Sequence, residues 1–254
     1  MKRVWGHVLA GVSLLAGVAM AMPACAHDNS SLFVQDVLAP QLVSTGQTCV
    51  FTSDPTQTFL PSGTLDVGLR ATYDPWFLLG NQMVSESNSQ QLQTETSTIT
   101  VQGAVVTISD SSGNQLNKFT DLAAATVYPA TGTTPGYAPI QVTTIDETTA
   151  KNAVNGLAAG ATVRLVTNVQ FFGFTLGGDS VTSDTFEFPV DLCVGCLVQF
   201  SPADENPADP LPNCKAASAM AGMAGATVVP SPCYPGQDYV TDCSQCLGNA
   251  VCNP

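Results

Sequence analysis

Phe186-Glu187-Phe188-Pro189-Val190-Asp191-Leu192-Cys193-Val194-Gly195-Cys196 divides the chain into two unlike parts. About 160 residues before it are rich in alternating Thr and Val and contain a single cysteine, Cys49; the 58 residues after it hold five more cysteines and many prolines, with little apolar periodicity. Phe186, Phe188 and Val190 lie two apart, so an extended backbone points all three at one face. Asp184 has the same parity and marks where the buried stretch begins. The segment reads as the last core strand, running directly into a cross-linked tail.

Working back towards the N-terminus, the same period of two recurs. Leu32-Phe33-Val34 with Val37-Leu38 forms a first strand that Pro40 stops. Thr48–Thr52 is a short strand followed by the turn residues Ser53-Asp54-Pro55. Leu65, Val67, Leu69 and Ala71 alternate with Asp66, Gly68 and Arg70, predicting a half-buried strand. Residues 85–97 are almost wholly polar, a loop or exposed strand end. Ile99 and Val101 have one parity and Ala104, Val106 and Ile108 the other, and a β-bulge at Gly103 returns both sets to one face. Asp110–Asn114 turns the chain into Gln115–Phe119, and Leu122–Pro139 reads as a long surface connection. Ile140, Val142 and Thr144 resume the alternation. Ala150, Ala153, Val154 and Leu157 have helical spacing behind a capping Asp146. Val163, Leu165, Thr167, Val169 and Phe171 then alternate cleanly, and Gly177-Gly178-Asp179 makes a hairpin to Thr182–Val190. Seven to nine strands without a βαβ rhythm predict an antiparallel, immunoglobulin-like β-sandwich over 32–200 and a Cys-rich tail over 201–254.

Residues 1–24 have the layout of a cleaved export signal: Lys2 and Arg3, then the uncharged, mostly apolar Val4–Ala21, then small residues. Two processing sites compete. Ala24-Cys25-Ala26 would release a chain beginning at His27, whereas Met22-Pro23-Ala24-Cys25 is similar to a lipobox, whose Cys becomes the lipidated first residue. Cysteine parity favours the second, because removing Cys25 from nine cysteines leaves eight, enough for four bridges. Residues 25–31 then form a tether to the membrane. Without Lys2 and Arg3 the chain has 5 basic against 20 acidic residues. That balance opposes nucleic acid and anionic lipid surfaces, both of which are recognised through clustered Lys and Arg.

Seven cysteines lie in the last strand and tail: Cys193, Cys196, Cys214, Cys233, Cys243, Cys246 and Cys252. If all eight pair within the chain, at least one of the seven bonds Cys49. The two Cys-x-x-Cys pairs, Cys193/Cys196 and Cys243/Cys246, also have the spacing of a zinc site. Export to an oxidising compartment favours structural disulfides over zinc or a redox pair.

No catalytic residue, metal or cofactor is assigned. The two histidines, His7 and His27, fall in the signal and the tether, so a Ser-His-Asp or Cys-His arrangement has no base in the fold. Asp204, Glu205 and Asp209 form an acidic cluster that reads as a solvated linker, with weak Ca²⁺ binding as the alternative. A carboxylate pair for hydrolysis is a third class of function, since separation in space is not written in the sequence. Tyr73, Trp76 and Phe77 lie in the most aromatic stretch of the exported chain and are the candidate ligand-binding residues, a flat face for a sugar ring or else a core anchor.

Gly173-Phe174-Thr175-Leu176-Gly177-Gly178, the segment from Phe186 to Cys196, Phe59–Val67 and Leu79-Gly80-Asn81-Gln82 together resemble a family of uncharacterised exported lipoproteins from myxobacteria and related environmental bacteria. The resemblance spans most of 32–200. It implies an envelope location and transfers no catalytic or binding residue. The function expected is a surface or periplasmic lipoprotein acting as a non-catalytic structural or interaction module. Its partners would be the membrane, through the anchor, and other envelope proteins or polysaccharide. A carbohydrate-binding module centred on Tyr73–Phe77 is the alternative.

Overall fold

A computed structural model of the chain describes residues 31–42, 49–86, 95–158, 160–220 and 232–254; the signal segment, Cys25 and His27 lie outside the described residues. With 45% strand against 9% helix it is mainly β. In chain order the strands are β1 (Leu32–Leu38), β2 (Gln41–Leu42), β3 (Cys49–Val50), β4 (Gly63–Asp66), β5 (Trp76–Asn81), β6 (Ile99–Asp110), β7 (Gln115–Val127) and β8 (Gly136–Gln141). Helix α1 (Glu147–Val154) precedes β9 (Val163–Thr175), β10 (Ser180–Thr182), β11 (Phe186–Cys193) and β12 (Val198–Gln199); helix α2 (Lys215–Met220) and β13 (Thr241–Asp242) follow.

Two sheets make the body. One is β1-β5-β8, antiparallel throughout; the other runs β4-β11-β9-β6-β7, with β10 added to β9. Both contribute to one buried cluster, Leu32, Phe77, Leu79 and Ile140 from the first sheet, Val106, Phe171, Phe188 and Val190 from the second. Phe188, Val190 and Leu192 are buried on one face of β11, as their spacing requires. The β6 register shifts between Val101 and Gly103 against both neighbours, so Ile99, Val101, Ala104, Val106 and Ile108 are all buried. Only glycine fits the bulge, because a Cβ at Gly103 would collide with the Asp121 carbonyl oxygen. Asp146 caps α1, its side chain accepting the Thr149 N–H at 3.0 Å.

Four local expectations are corrected. Leu122–Pro139 is not a surface connection: β7 runs on to Val127 and β8 begins at Gly136. Ala-rich sequence still pairs here because β6 supplies the hydrogen bonds from Ile99 to Ser109. The strand expected over 65–71 is the four-residue β4, which ends at Asp66 in a turn closed by the Leu69 and Arg70 N–H groups on the Asp66 carbonyl. β4 runs parallel to β11, so the larger sheet is mixed rather than antiparallel throughout. Thr182–Val190 is two strands: the buried Ser183 hydroxyl accepts the Phe171 N–H at 2.9 Å and donates to the Asp184 carbonyl at 2.8 Å, taking the place of a ladder bond.

The tail is joined to this body. β13 lies parallel to β12, and Gln237 forms an antiparallel bridge to Leu65 on β4. The disulfides are Cys49–Cys233, Cys193–Cys196, Cys214–Cys243 and Cys246–Cys252. The first spans 184 residues, a loop whose closure entropy corresponds to about 5 kcal/mol of stabilisation.

Phe188→Ala empties the centre of this core, where Phe188 is stacked with Tyr73. Urea denaturation of this variant should show a loss of about 3–5 kcal/mol. A loss below about 1 kcal/mol would place Phe188 outside the core.

Candidate functional site

The aromatic stretch does not form a ligand face. Tyr73 and Phe77 are each 0% exposed. Phe77 lies on β5, the middle strand of its sheet, and meets Phe171 and Phe186 edge to face at 5.3 and 6.0 Å. Tyr73 stacks on Phe188, and its hydroxyl donates to the Asp238 carboxylate at 2.9 Å. Trp76 is half-buried, stacked on Phe51 at 4.8 Å, and its indole N–H donates to the Tyr234 hydroxyl at 2.9 Å. Of the two readings of Tyr73, Trp76 and Phe77, these contacts fit the core anchor rather than the sugar platform. The tail, held there by the Cys49–Cys233 bridge, covers what would have been its open side.

Two carboxyl groups organise that junction. Asp66 is 0% exposed and accepts three backbone N–H bonds, from Gly68 at 3.0 Å, Gly195 at 2.8 Å and Leu197 at 3.0 Å. Asp238, at φ 63°, accepts the Thr64 N–H at 2.9 Å as well as the Tyr73 hydroxyl. Burial pushes the Asp238 carboxyl up to about 6, against the opposing pull of those donors. Burial and the neighbouring Asp238 push the Tyr73 hydroxyl up as well.

Beside the junction is a polar pocket of about 350 Å³ lined by Arg70, Asp74, Asp121, Gln141, Thr143 and Tyr234. Its groups are engaged with one another. Asp74 pairs with Arg70 and accepts the Thr72 and Thr143 hydroxyls, Asp121 accepts the Thr143 N–H at 2.7 Å, and the Arg70 guanidinium lies 5.2 Å over the Tyr234 ring. Two acids outside the pocket, Asp191 and Asp209, are also paired. Asp191 forms a two-pronged pair with Arg164, which holds its carboxyl below the usual range. Of the expected acidic cluster, Asp209 pairs with Lys215, while Asp204 faces Asp242 instead. The cluster therefore does not converge on a common centre.

Among the described residues, two groups have ligand atoms close enough for a metal ion, Asp66 with Cys193 and Cys196, and Asp204 with Asp242 and Cys243. In each, the sulfur is already bonded in a disulfide, whereas zinc takes thiolate. The second Cys-x-x-Cys pair does not bond to itself, since Cys243 joins Cys214 and Cys246 joins Cys252.

A larger open cleft, about 590 Å³, lies at one end of the six-stranded sheet. Thr98, Thr100, Thr126, Tyr128, Thr131 and Leu176 line it, with Ser85, Glu95 and Pro129. Thr100 on β6 faces Thr126 on β7, and Tyr128 is 67% exposed just past the end of β7. This cleft was missed because its β7 wall reads as a connection. The signal was present: Leu122, Ala124, Thr126 and Tyr128 share the parity opposite to Ala123, Ala125 and Val127.

Asp66→Ala strands three N–H groups in the interior, and chemical denaturation should show about 3 kcal/mol lost. Retention of wild-type stability would mean that water replaces the carboxyl group. Asp238 makes the stability depend on pH. Its pKa rises from 3.8 unfolded to about 6 folded, so its favourable contribution is complete below 3.8 and is lost as the pH climbs through 6. Acidification from pH 7 to pH 4 should therefore stabilise the native chain by about 2 kcal/mol relative to Asp238→Asn, which keeps the backbone geometry but cannot titrate. Parallel pH profiles for the two proteins would refute this.

No protein-family model, curated protein or solved structure matches the chain, and the site is defined by its own geometry.

Proposed function

We propose that the protein is a cell-envelope lipoprotein, exported by residues 1–24 and anchored through Cys25. In this reading an immunoglobulin-like β-sandwich over 32–200 acts as a non-catalytic structural or interaction module. The tail over 201–254 is its disulfide-locked cap. The pairing of the cysteines carries this reading. Eight of nine are bonded to one another, which supports export to an oxidising compartment and leaves Cys25 as the one cysteine with no intrachain sulfur partner. The shared cluster of the two sheets supports the sandwich. The acids support the non-catalytic role: Asp66, Asp74, Asp146, Asp191 and Asp238 are each engaged by donors that belong to the fold. A hydrolytic pair needs one carboxyl group free to meet substrate and another free to meet water.

Intact mass of the protein taken from membranes tests the whole reading. The expected species begins at Cys25, carries acyl chains, and takes up eight hydrogens on full reduction. Cys25→Ser should move the protein to the soluble fraction. A Cys25→Ser protein that stays with the membrane, or a native N-terminus at His27, rejects the anchor.

A further inference from the structure

Several threonine hydroxyls of the fold are occupied by internal acceptors. Thr72 and Thr143 donate to Asp74, Thr149 to Asp146, and Thr167 to the Phe188 carbonyl. In the cleft at the end of the six-stranded sheet the threonine hydroxyls have no such acceptors. Among the described residues, no hydrogen bond reaches the side-chain hydroxyls of Thr98, Thr100, Thr126, Thr131 or Tyr128. Five hydroxyl-bearing residues thus line one open cleft. Leu176, 61% exposed, and the Tyr128 ring supply apolar surface beside them.

We propose that this cleft binds a neutral oligosaccharide, which names a ligand class for the module proposed above and rests on that reading. A pyranose ring has an apolar C–H face and a rim of hydroxyls that both donate and accept. The Tyr128 ring and Leu176 match the face, and the threonine hydroxyls match the rim. A purely apolar ligand would desolvate these hydroxyls without replacing their hydrogen bonds. An acidic sugar is opposed by the absence of any Lys or Arg in the lining and by the net charge of −13. Glu95, the one acid there, accepts the Ser85 hydroxyl on one oxygen and the Ser97 N–H on the other, so it is placed to shape the wall rather than to transfer protons.

Part of the lining is fixed by paired backbone. Thr100 and Thr126 are cross-strand neighbours on paired β6 and β7, and Leu176 is tied to the cleft floor by its N–H on the Thr98 carbonyl at 2.8 Å. The Ala130 N–H bonds the Met83 carbonyl at 2.8 Å just past Tyr128, and β7 holds the chain just before it. Little ordering therefore remains to be done on binding. The volume of about 590 Å³ is suited to a few sugar units.

Calorimetric titration of the full mature protein with cellohexaose, laminarihexaose, xylohexaose and mannohexaose tests the assignment, with an oligogalacturonate as the acidic control. At least one neutral sugar should bind and the acidic one should not. Tyr128→Ala should weaken binding about tenfold without moving Tm, because the ring is exposed. Thr126→Val, which keeps the shape and removes one hydroxyl, should weaken it about threefold. Absence of binding by all four neutral sugars, or wild-type affinity in both variants, overturns the cleft assignment and leaves the envelope-module reading standing. Binding with release of shorter sugars supports the cleft and overturns the non-catalytic reading.

Discussion

The Asp66 carboxyl group is where the sheet edge, the last core strand and the tail meet. It sits at the end of β4, wholly removed from solvent, and draws in the N–H groups of Gly68, Gly195 and Leu197. The same residue's backbone N–H donates to the Gly236 carbonyl in the tail. One short side chain therefore sets the turn after β4, the path out of β11 and the docking of the C-terminal segment. Such a group is tolerated in the interior because its acceptor capacity is met. β4 has only four residues and lies at the edge of the sheet, so without the tail its outer backbone groups would be open to other chains.

From this follows the nature of the tail. Ala216–Ala226 is almost entirely Ala, Gly, Met and Ser, too small in side-chain volume for a core of its own. Its described parts are held by other means. These are sulfur cross-links, a two-residue parallel pairing with β12, and polar side chains set into the body. Gln237 uses both ends of its amide on Asp74, accepting its N–H and donating to its carbonyl, as an added strand would. Asp238 reaches Tyr73 from a left-handed backbone conformation, which Asp adopts more readily than most residues. Burying that carboxyl costs stability at neutral pH, and the long Cys49–Cys233 loop closure acts in the other direction.

The polar groups thus divide into two populations. Those at the junction and in the neighbouring pocket are saturated by one another and serve as braces. In the Tyr128 cleft, Thr100 and Thr126 are fixed in place by paired strands yet face solvent. Order without an internal partner is the arrangement expected of a surface that meets a ligand. Exposed aromatic rings in a sequence do not identify such a surface. Tyr73, Trp76 and Phe77 are as aromatic as any stretch here, but they lie where the tail docks.

What the residues decide locally was legible from their order alone. Period-two alternation placed the buried faces of β6, β9 and β11, the change of parity at Gly103 located the bulge, and Asp146 marked the start of α1. With all eight cysteines paired, parity required Cys49 to bond one of the seven later ones, and it bonds Cys233. Each of these depends on contacts within a few residues, or on a count. What depends on which distant segment comes to rest against a given face was settled only by the folded chain. Asp66 read as an outward-facing strand residue and is buried, because Gly195 and Leu197, some 130 residues away, bring their N–H groups to it. Leu122–Val127 read as loop and is strand, because β6 offers the hydrogen bonds that Ala and Thr side chains do not specify. Side-chain pattern tells a residue which way to face; the identity of what it faces is a property of tertiary structure.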